Sequence, residues 1–199
     1  MSEKEKETPM VHVVGLGGVG FYCYLALLRA VDSDHLVGWD ADNLQGGLGH
    51  ARLPVASPET MKADLVRGFA RVSMGDKPGT THKEFFTGVE CKAGDIVVDC
   101  SDAGLESRRE MWKKARAIGA RCIRVSYDGE ASTIVVAEGL PLETVGSNAG
   151  YAAVPSLALS FAAGGIGAEA VRLVLANPDV YVENQVSVSE WLTKLPAAA

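Results

Sequence analysis

The sequence MVHVVGLGGVG, residues 10–20, decides how the rest of the chain is interpreted. Its first half is a short apolar run of the kind found in the central strands of parallel sheets. Its second half is a G-x-G-x-x-G turn, and the apolar stretch 21–31, which lacks Gly and Pro, predicts a helix directly after it. A strand, a glycine turn and a helix in this order favour a phosphate site, because glycines let the backbone N–H groups at the helix N-terminus approach the ligand.

A second predicted strand supports the binding of a nucleotide. Residues 36–40, LVGWD, are apolar up to an acid, Asp40, which lies 20 residues beyond Gly20. Nucleotide-binding units place at this position the carboxylate that binds the ribose hydroxyls. The simpler alternative is that Asp40 ends a strand in water, but its combination with the glycine turn favours the nucleotide.

Length and composition indicate one globular domain. The chain has 199 residues, of which 47% are hydrophobic, and a formal net charge of −6. This negative balance argues against a nucleic-acid partner held by general electrostatics. The charged N-terminus lacks the apolar core of a signal peptide. We therefore expect a flexible tail over 1–9, a single domain over 10–190 and a C-terminal tail over 191–199.

The cysteines favour a reducing compartment. There are four of them, without C-x-x-C spacing, at Cys23, Cys91, Cys100 and Cys122. The pattern predicts buried thiols rather than disulfides or a zinc site, and hence a cytoplasmic protein. Cys91 follows a polar stretch and is expected to be the most exposed of the four.

Residues 151–168 form an uncharged segment, which could be a membrane-spanning helix or a helix in the core of the protein. Pro155 and several glycines interrupt it, and charged residues follow at once, so we interpret 155–176 as a buried helix and expect no membrane partner. Such a helix has more apolar area than one side of a monomer can bury. We therefore expect a homodimer or a heterodimer with a related subunit.

The remaining elements alternate between strands and helices. Further helices are predicted over 58–72, with Ser57 as N-cap and Pro58 at N1, and directly after Asp102, and further strands over 83–86, 95–100, 121–126, 129–137 and 180–188. The pair Asp128-Gly129 is typical of a hairpin connection. The predicted fold class is a doubly wound, Rossmann-like α/β sheet that is mostly parallel, with antiparallel strands added in the C-terminal part.

Three stretches in this order, GLGGVG at 15–20, WDAD at 39–42 and DCSD at 99–102, resemble the ThiF/MoeB family, the adenylating fold of ubiquitin-activating-type enzymes. The likeness covers most of residues 10–176, and GGIGAEAVRLVLA resembles the family's buried helix near the dimer interface. The resemblance implies an adenylyltransferase that uses ATP and Mg²⁺ to convert a carboxylate to an acyl-AMP with release of pyrophosphate. The implied partner is a ubiquitin-like or small carrier protein that supplies its C-terminal carboxylate.

The resemblance also implies roles for individual residues. The phosphates would lie against four glycines, and the ribose against the acids after the second strand: Gly15, Gly17, Gly18, Gly20, Asp40 and Asp42. Asp102 would hold Mg²⁺, while Lys62 and Arg52 would neutralise the charge that develops on the phosphates. The alternatives are that Asp102 only caps the next helix and that Lys62 and Arg52 are solvated charges.

The sequence departs from the family pattern in two places. The loop 41–53, ADNLQGGLGHARL, lacks the family's N-L-x-R-Q, and no cysteine follows Gly129 that could form a thioester. A minimal adenylating enzyme is therefore the first interpretation. A non-catalytic subunit for dimerisation or docking is the second, and an NAD-dependent oxidoreductase, which the glycine turn and Asp40 would also suit, is the third.

Overall fold

A central sheet organises the chain, which is described here from a computed structural model. The structure describes residues 8–44, 57, 59–75, 78–128, 132–141 and 156–187. Within them the strands are β1 Val11–Val14, β2 Leu36–Trp39, β3 Thr80–His82, β4 Ile96–Asp99, β5 Arg121–Asp128, β6 Thr133–Glu138 and β7 Glu183–Ser187. The helices are α1 Gly18–Leu27, α2 Lys62–Met74, α3 Leu105–Ile118 and α4 Leu157–Ala176.

The strand order confirms the predicted fold class. The order is β3-β2-β1-β4-β5-β6-β7, and β1 pairs in parallel with β2 on one side and with β4 on the other. The β2–β3 and β4–β5 pairs are also parallel, whereas β5–β6 and β6–β7 are antiparallel. All residues of β1, β2 and β4 are buried, which is why these strands lack an alternating pattern in the sequence.

Helices cover both faces of the sheet. On one face α4 packs closely on α1, because a Cβ at Gly164 would lie 2.7 Å from the backbone nitrogen of Cys23. On the other face α3 buries Trp112 completely, in a second apolar cluster that includes Val97. The carboxyl end of β1, where the glycine turn begins, is therefore held between two apolar layers.

Helix α4 has the length and apolar composition of a membrane-spanning helix. Half of its most apolar window is buried inside the protein, and the helix packs on α1, β5 and β6. Ser156 caps its N-terminus by accepting a hydrogen bond from the N–H of Leu159 at 3.1 Å. The predicted helix in this part of the chain is confirmed, but only one side of it is buried.

Two predicted element positions are wrong. Helix α2 begins at Lys62 rather than at Pro58, because Asn43 forms a β-bridge with Met61, and this pairing holds the chain extended up to the helix. The strand predicted over 83–86 is Thr80–His82 instead, since β3 pairs with β2 over these three residues. Residues 84–86 line a cavity.

The expected exposure of Cys91 is also wrong. Its residual exposure is 6%, and burial raises the pKa of the thiol to about 12, so it is not an activated nucleophile. Cys23 and Cys122 are buried as predicted, and all four cysteines are free thiols. Arg52, most of the tail 1–9 and the tail 191–199 lie outside the described residues, and their roles remain predictions.

Candidate active site

A cavity of about 490 Å³ opens at the carboxyl ends of β1, β2 and β4. This is the point where the strand order reverses, and ligands of open α/β sheets bind there. The volume is in the range of small-molecule sites. Residues from three strand ends, from the segment after β3 and from α3 line it, including Gly15, Asp40, Asp42, Phe85, Ser101, Asp102, Arg108 and Lys114.

The glycine turn is required by close packing at its two ends. Gly15 has a φ of +82°, and a Cβ there would lie 2.6 Å from the Cα of Ser101. A Cβ on Gly20 would overlap the carbonyl oxygen of Gly15. Gly17, the N-cap of α1, faces open space and has no side chain that could cap the helix. The first N–H groups of α1 are thus available to an anion.

Asp40 is buried and cross-links two segments of the site. Its residual exposure is 8%; Oδ2 accepts a hydrogen bond from the N–H of Leu16 at 2.7 Å, and Oδ1 accepts one from the N–H of Asp42 at 2.8 Å. Burial raises the pKa of Asp40, and the positive charge of Lys62 together with these hydrogen bonds opposes that shift. The alternative of an acid that ends a strand in water does not describe this geometry.

Lys62 is the first residue of α2 and lies beside both acids. Its Nζ is 3.1 Å from Oδ2 of Asp42 and 3.8 Å from Oδ2 of Asp40, and 15% of its side chain is exposed. Asp42 is more than half exposed, so its ion pair can exchange for another anion. Lys62 is therefore a partly buried cation at the edge of the site rather than a solvated charge.

Asp99, the last residue of β4, is fully buried in a polar network. Its Oδ1 accepts hydrogen bonds from the N–H and hydroxyl of Ser101, at 3.0 and 2.7 Å, and from Nη1 of Arg124 at 3.1 Å. Its Oδ2 accepts one from Nε1 of Trp112 at 2.9 Å, and Nε of Arg108 lies 3.5 Å away. The network fixes the end of β4 directly below the cavity.

Asp102 follows this network and lines the cavity with an exposed side chain. The N-cap of α3 is Gly104, which has no side-chain cap, so Asp102 does not cap the helix. Its carboxylate is a hard oxygen ligand at the mouth of the cavity. Mg²⁺ in nucleotide sites is bound by one or two carboxylates together with the phosphates, and Asp102 fits that requirement.

A second group of potential metal ligands lies away from the cavity. One ligand atom each of His12, Cys91 and Asp95 lie within 4.8 Å of one another. Trp39 Nε1 can only donate, and it lies 3.2 Å from His12 Nδ1, so Nδ1 is the acceptor and the proton sits on Nε2, 3.4 Å from Asp95. Both ring nitrogens are thus engaged. A metal ion on Nε2 would move the proton of the neutral ring to Nδ1, where it would point at the N–H of Trp39. We assign this cluster a structural role.

The structure brings together most of the residues that the sequence singles out. Gly15, Asp40, Asp42 and Asp102 line one cavity, and Lys62 lies beside it through its ion pairs with the two acids after β2. Gly17, Gly18 and Gly20 continue the turn from Gly15 into α1 and are not among the lining residues. Sequence analysis missed Arg108, Ser101 and Phe85, which also line it. The helical spacing of Arg108 with Met111, Trp112 and Ala115 indicates the buried face of α3, but this spacing does not indicate that Arg108 lines the cavity.

No protein-family model matches the sequence, and no curated protein matches it either. Solved structures do share the fold. PaaA aligns with a TM-score of 0.61 at 13% identity over 92% of this chain and 61% of its own. E. coli MccB with AMPCPP and MccA aligns with a TM-score of 0.61 at 12% identity over 87% of this chain and 57% of its own.

A third structure is matched over nearly its whole length. HcgE from Methanothermobacter marburgensis, bound to guanylylpyridinol and ATP, aligns with a TM-score of 0.57 at 19% identity over 87% of this chain and 99% of its own. These likenesses confirm that the fold is of the ThiF/MoeB type that the sequence resembles. The chain spans only about three fifths of PaaA and MccB, whose additional segments have no counterpart in the alignment.

Proposed function

We propose that this protein activates a carboxylate by transferring AMP to it from ATP, with release of pyrophosphate. The observation that carries the proposal is the cavity at the reversal point of the sheet, where the glycine turn, Asp40 and Asp102 meet. Solved structures of the same fold contain ATP in HcgE and AMPCPP in MccB. Each group of the nucleotide has a matching group in this cavity or beside it.

The phosphates and the ribose have the clearest matches. The uncapped N-terminus of α1 offers N–H donors and the positive end of a helix dipole to the phosphates. Each Asp40 oxygen accepts one backbone N–H and has a further lone pair for a ribose hydroxyl. Because both backbone bonds fix the carboxylate, the ribose would meet a preorganised acceptor.

Phe85 matches the base. It lines the cavity while 74% of it is exposed, and the neighbouring Phe86 is buried. An exposed aromatic ring in a binding cavity can stack on a base, an interaction that contributes about 1–3 kcal/mol per base. We assign the adenine to the part of the cavity beside Phe85.

Asp102 would hold the Mg²⁺ that accompanies the nucleotide, and the ion would offset the negative charge that develops on the phosphates. Lys62 would leave its exposed partner Asp42 for a phosphate oxygen, and Arg52 would add a second cation. A carboxylate oxygen then attacks the α-phosphorus, the new P–O bond forms, and the bond to the departing pyrophosphate breaks. Such a reaction needs positioning and charge stabilisation rather than a covalent catalyst.

We assign the carboxylate to the C-terminus of a ubiquitin-like or small carrier protein. The resemblance to the ThiF/MoeB family supports this, and so does the solved structure of MccB, a protein of the same fold, which contains MccA together with AMPCPP. Because no cysteine follows Gly129, the acyl-AMP would pass to its acceptor without a thioester on that part of the chain.

Calorimetric titration with ATP and Mg²⁺, NAD⁺ and NADH tests the proposal first. We expect ATP to bind in the presence of Mg²⁺, and Asp102→Asn to weaken that binding about tenfold or more, because a charged ligand is lost. Lys113→Asn on the exposed side of α3 is the matched control and should bind as the wild type does. Thermal unfolding of both variants verifies that they are folded.

The other outcomes separate the alternatives. Preference for NAD would contradict adenylation and favour an oxidoreductase, although the described lining residues include neither His nor Tyr to transfer a proton. Absence of binding to any of these nucleotides would favour a docking subunit. ATP binding without release of pyrophosphate in the presence of candidate carrier proteins would contradict the assigned substrate but not the nucleotide site.

A further inference from the structure

The loop between β4 and α3 carries Asp102, and a buried arginine holds it from below. Nη2 of Arg108 donates hydrogen bonds to the carbonyl oxygens of Ser101, at 3.0 Å, and of Ala103, at 2.9 Å. These two carbonyls flank Asp102 on either side. One nitrogen therefore fixes the backbone before and after the residue that faces the cavity.

Arg108 is itself held in place. Its residual exposure is 3%, and its Nε lies 3.5 Å from Oδ2 of the fully buried Asp99. The carbonyl of Ser101 accepts a second hydrogen bond from Nη1 of Arg124 at 2.7 Å. The N–H and hydroxyl of Ser101 are bound to Asp99, so the residue that precedes Asp102 is held at all of its polar atoms.

A network of this kind is a costly way to stabilise a loop. Buried charges lose their hydration, and apolar residues of similar volume often stabilise a core as well or better. What the charged network provides is a defined direction for each peptide group. The groups that it orients here belong to the two neighbours of Asp102, Ser101 and Ala103, and the exposed side chain between them is the one whose function requires a fixed position.

We propose that Arg108 is a positioning residue for Asp102: it fixes the carbonyl groups of the two neighbouring residues and thereby the carboxylate that receives Mg²⁺ with the nucleotide. The inference rests on the proposed function, which supplies the metal. Groups that orient a metal ligand typically change metal affinity by about 10- to 100-fold when they are removed. Arg108 acts through Asp102, with no contribution of its own to nucleotide affinity.

The test is a double-mutant cycle between the two residues. In Arg108→Met, which keeps the length of the side chain and removes its donors, we expect the Mg²⁺ concentration for half-maximal ATP binding to rise about tenfold. In an Asp102→Asn background the same change should have no further effect on ATP affinity. Multiplicative losses would show that Arg108 acts independently of Asp102 and would overturn the proposal, as would unchanged Mg²⁺ dependence in Arg108→Met.

Amide hydrogen exchange gives a readout that needs no nucleotide. Exchange at residues 101–104 should accelerate in Arg108→Met and should match the wild type in Lys113→Met, an exposed change on the same helix. If Arg108→Met does not fold, Ser101→Ala removes a single 2.7 Å hydrogen bond to Asp99 and should raise the Mg²⁺ requirement by a smaller factor. A wild type whose ATP binding ignores Mg²⁺ would contradict the proposed function, whereas Mg²⁺-dependent binding that both variants retain would overturn this inference alone.

Discussion

At the scale of the residue, His12 shows how the wall below the cavity is fixed. It connects Trp39, which lines the cavity, with Asp95 at the opposite end of the strands. Burial lowers the pKa of His12 from its ordinary value of 6.5, while Asp95 and Glu90 favour the protonated ring and His82 opposes it. A proton on Nδ1 would face the N–H of Trp39, so the folded protein favours the neutral ring.

This arrangement predicts a specific loss of stability in acid. A lowered pKa in the folded state means that the contribution of His12 is present above pH 6.5 and declines as pH falls from there toward the folded-state pKa. His12→Asn should be less stable than the wild type by about 1 kcal/mol at pH 7, because hydrogen bonds are lost. The difference in the free energy of unfolding should be smaller at pH 5, since only the wild type has a ring whose protonation destabilises the folded state.

Urea denaturation of both proteins at pH 7 and pH 5 measures this difference. Tryptophan fluorescence at each pH, compared between His12→Asn and the wild type, reports whether the substitution changes the environment of the indoles, of which Trp39 is the one bonded to His12. A difference in the free energy of unfolding that stays constant between the two pH values would contradict the assigned protonation state.

The residues that could be predicted are those whose signal is local. Asp40 and Asp102 follow apolar strands directly, and the ends of neighbouring parallel strands meet at one edge. Arg108 could not be predicted as a part of the site, because its partners come from β4 and from the loop, and its own segment has the charged sequence of an exposed helix. A buried charge is recognised from the groups that surround it in the folded protein, and these groups come from separate parts of the sequence.

At the scale of the element, the glycines between β1 and α1 meet two different requirements, close packing of the backbone and open access to the helix N-terminus. Gly15 and Gly20 are required by neighbouring backbone atoms, whereas Gly17 faces open space at the N-terminus of the helix. Folding depends on the first two glycines. Access of a phosphate to the N–H groups of α1 depends on Gly17 as well, because a Cβ there would occupy the open side of the turn.

Alanine substitutions separate the requirement for packing from the requirement for access. Gly20→Ala should lower the free energy of unfolding by more than about 2 kcal/mol, since its Cβ would overlap a carbonyl oxygen that cannot easily move. Gly17→Ala should cost at most about 1 kcal/mol as an N-cap change, yet weaken ATP binding at least about tenfold. Thermal unfolding and calorimetric titration of the two variants check the pair, and a Gly17→Ala variant that binds ATP normally would contradict a phosphate at this helix terminus.

Element boundaries show where local signals fail. Ser57-Pro58 is a good start signal for a helix, but α2 begins at Lys62 because the bridge between Asn43 and Met61 outweighs it. That bridge also has a functional consequence. It ties the N-terminus of α2 to the loop after β2, and the N–H of Lys62 donates to the carbonyl of Asp42 at 3.0 Å, so the cation is held beside the acids.

At the scale of the whole molecule, one face of α4 exposes large apolar side chains. Leu157 and Phe161 on α4 are 56% and 65% exposed, and a Cβ added at Gly165 would meet no atom within 4 Å. The three are four residues apart and share one face of the helix. Tyr22 of α1 extends the patch, with its ring 5.3 Å from that of Phe161. We propose that a second copy of the chain, or a related subunit, covers this face.

Sedimentation at micromolar concentration tests the oligomer, and we expect the wild type to sediment as a dimer of the 21.0 kDa chain. Phe161→Glu should dissociate it, because the interface would bury an unpaired charge. Val72→Glu on α2 is the matched control: Val72 is 88% exposed, and its replacement should leave the dimer intact. Dissociation by both variants would place the contact elsewhere, and a monomeric wild type would contradict the homodimer. Helix α4 packs on α1, whose N-terminus is the proposed phosphate site. The ATP affinity of the Phe161→Glu monomer therefore tests whether dimerisation supports that site or only covers an apolar face.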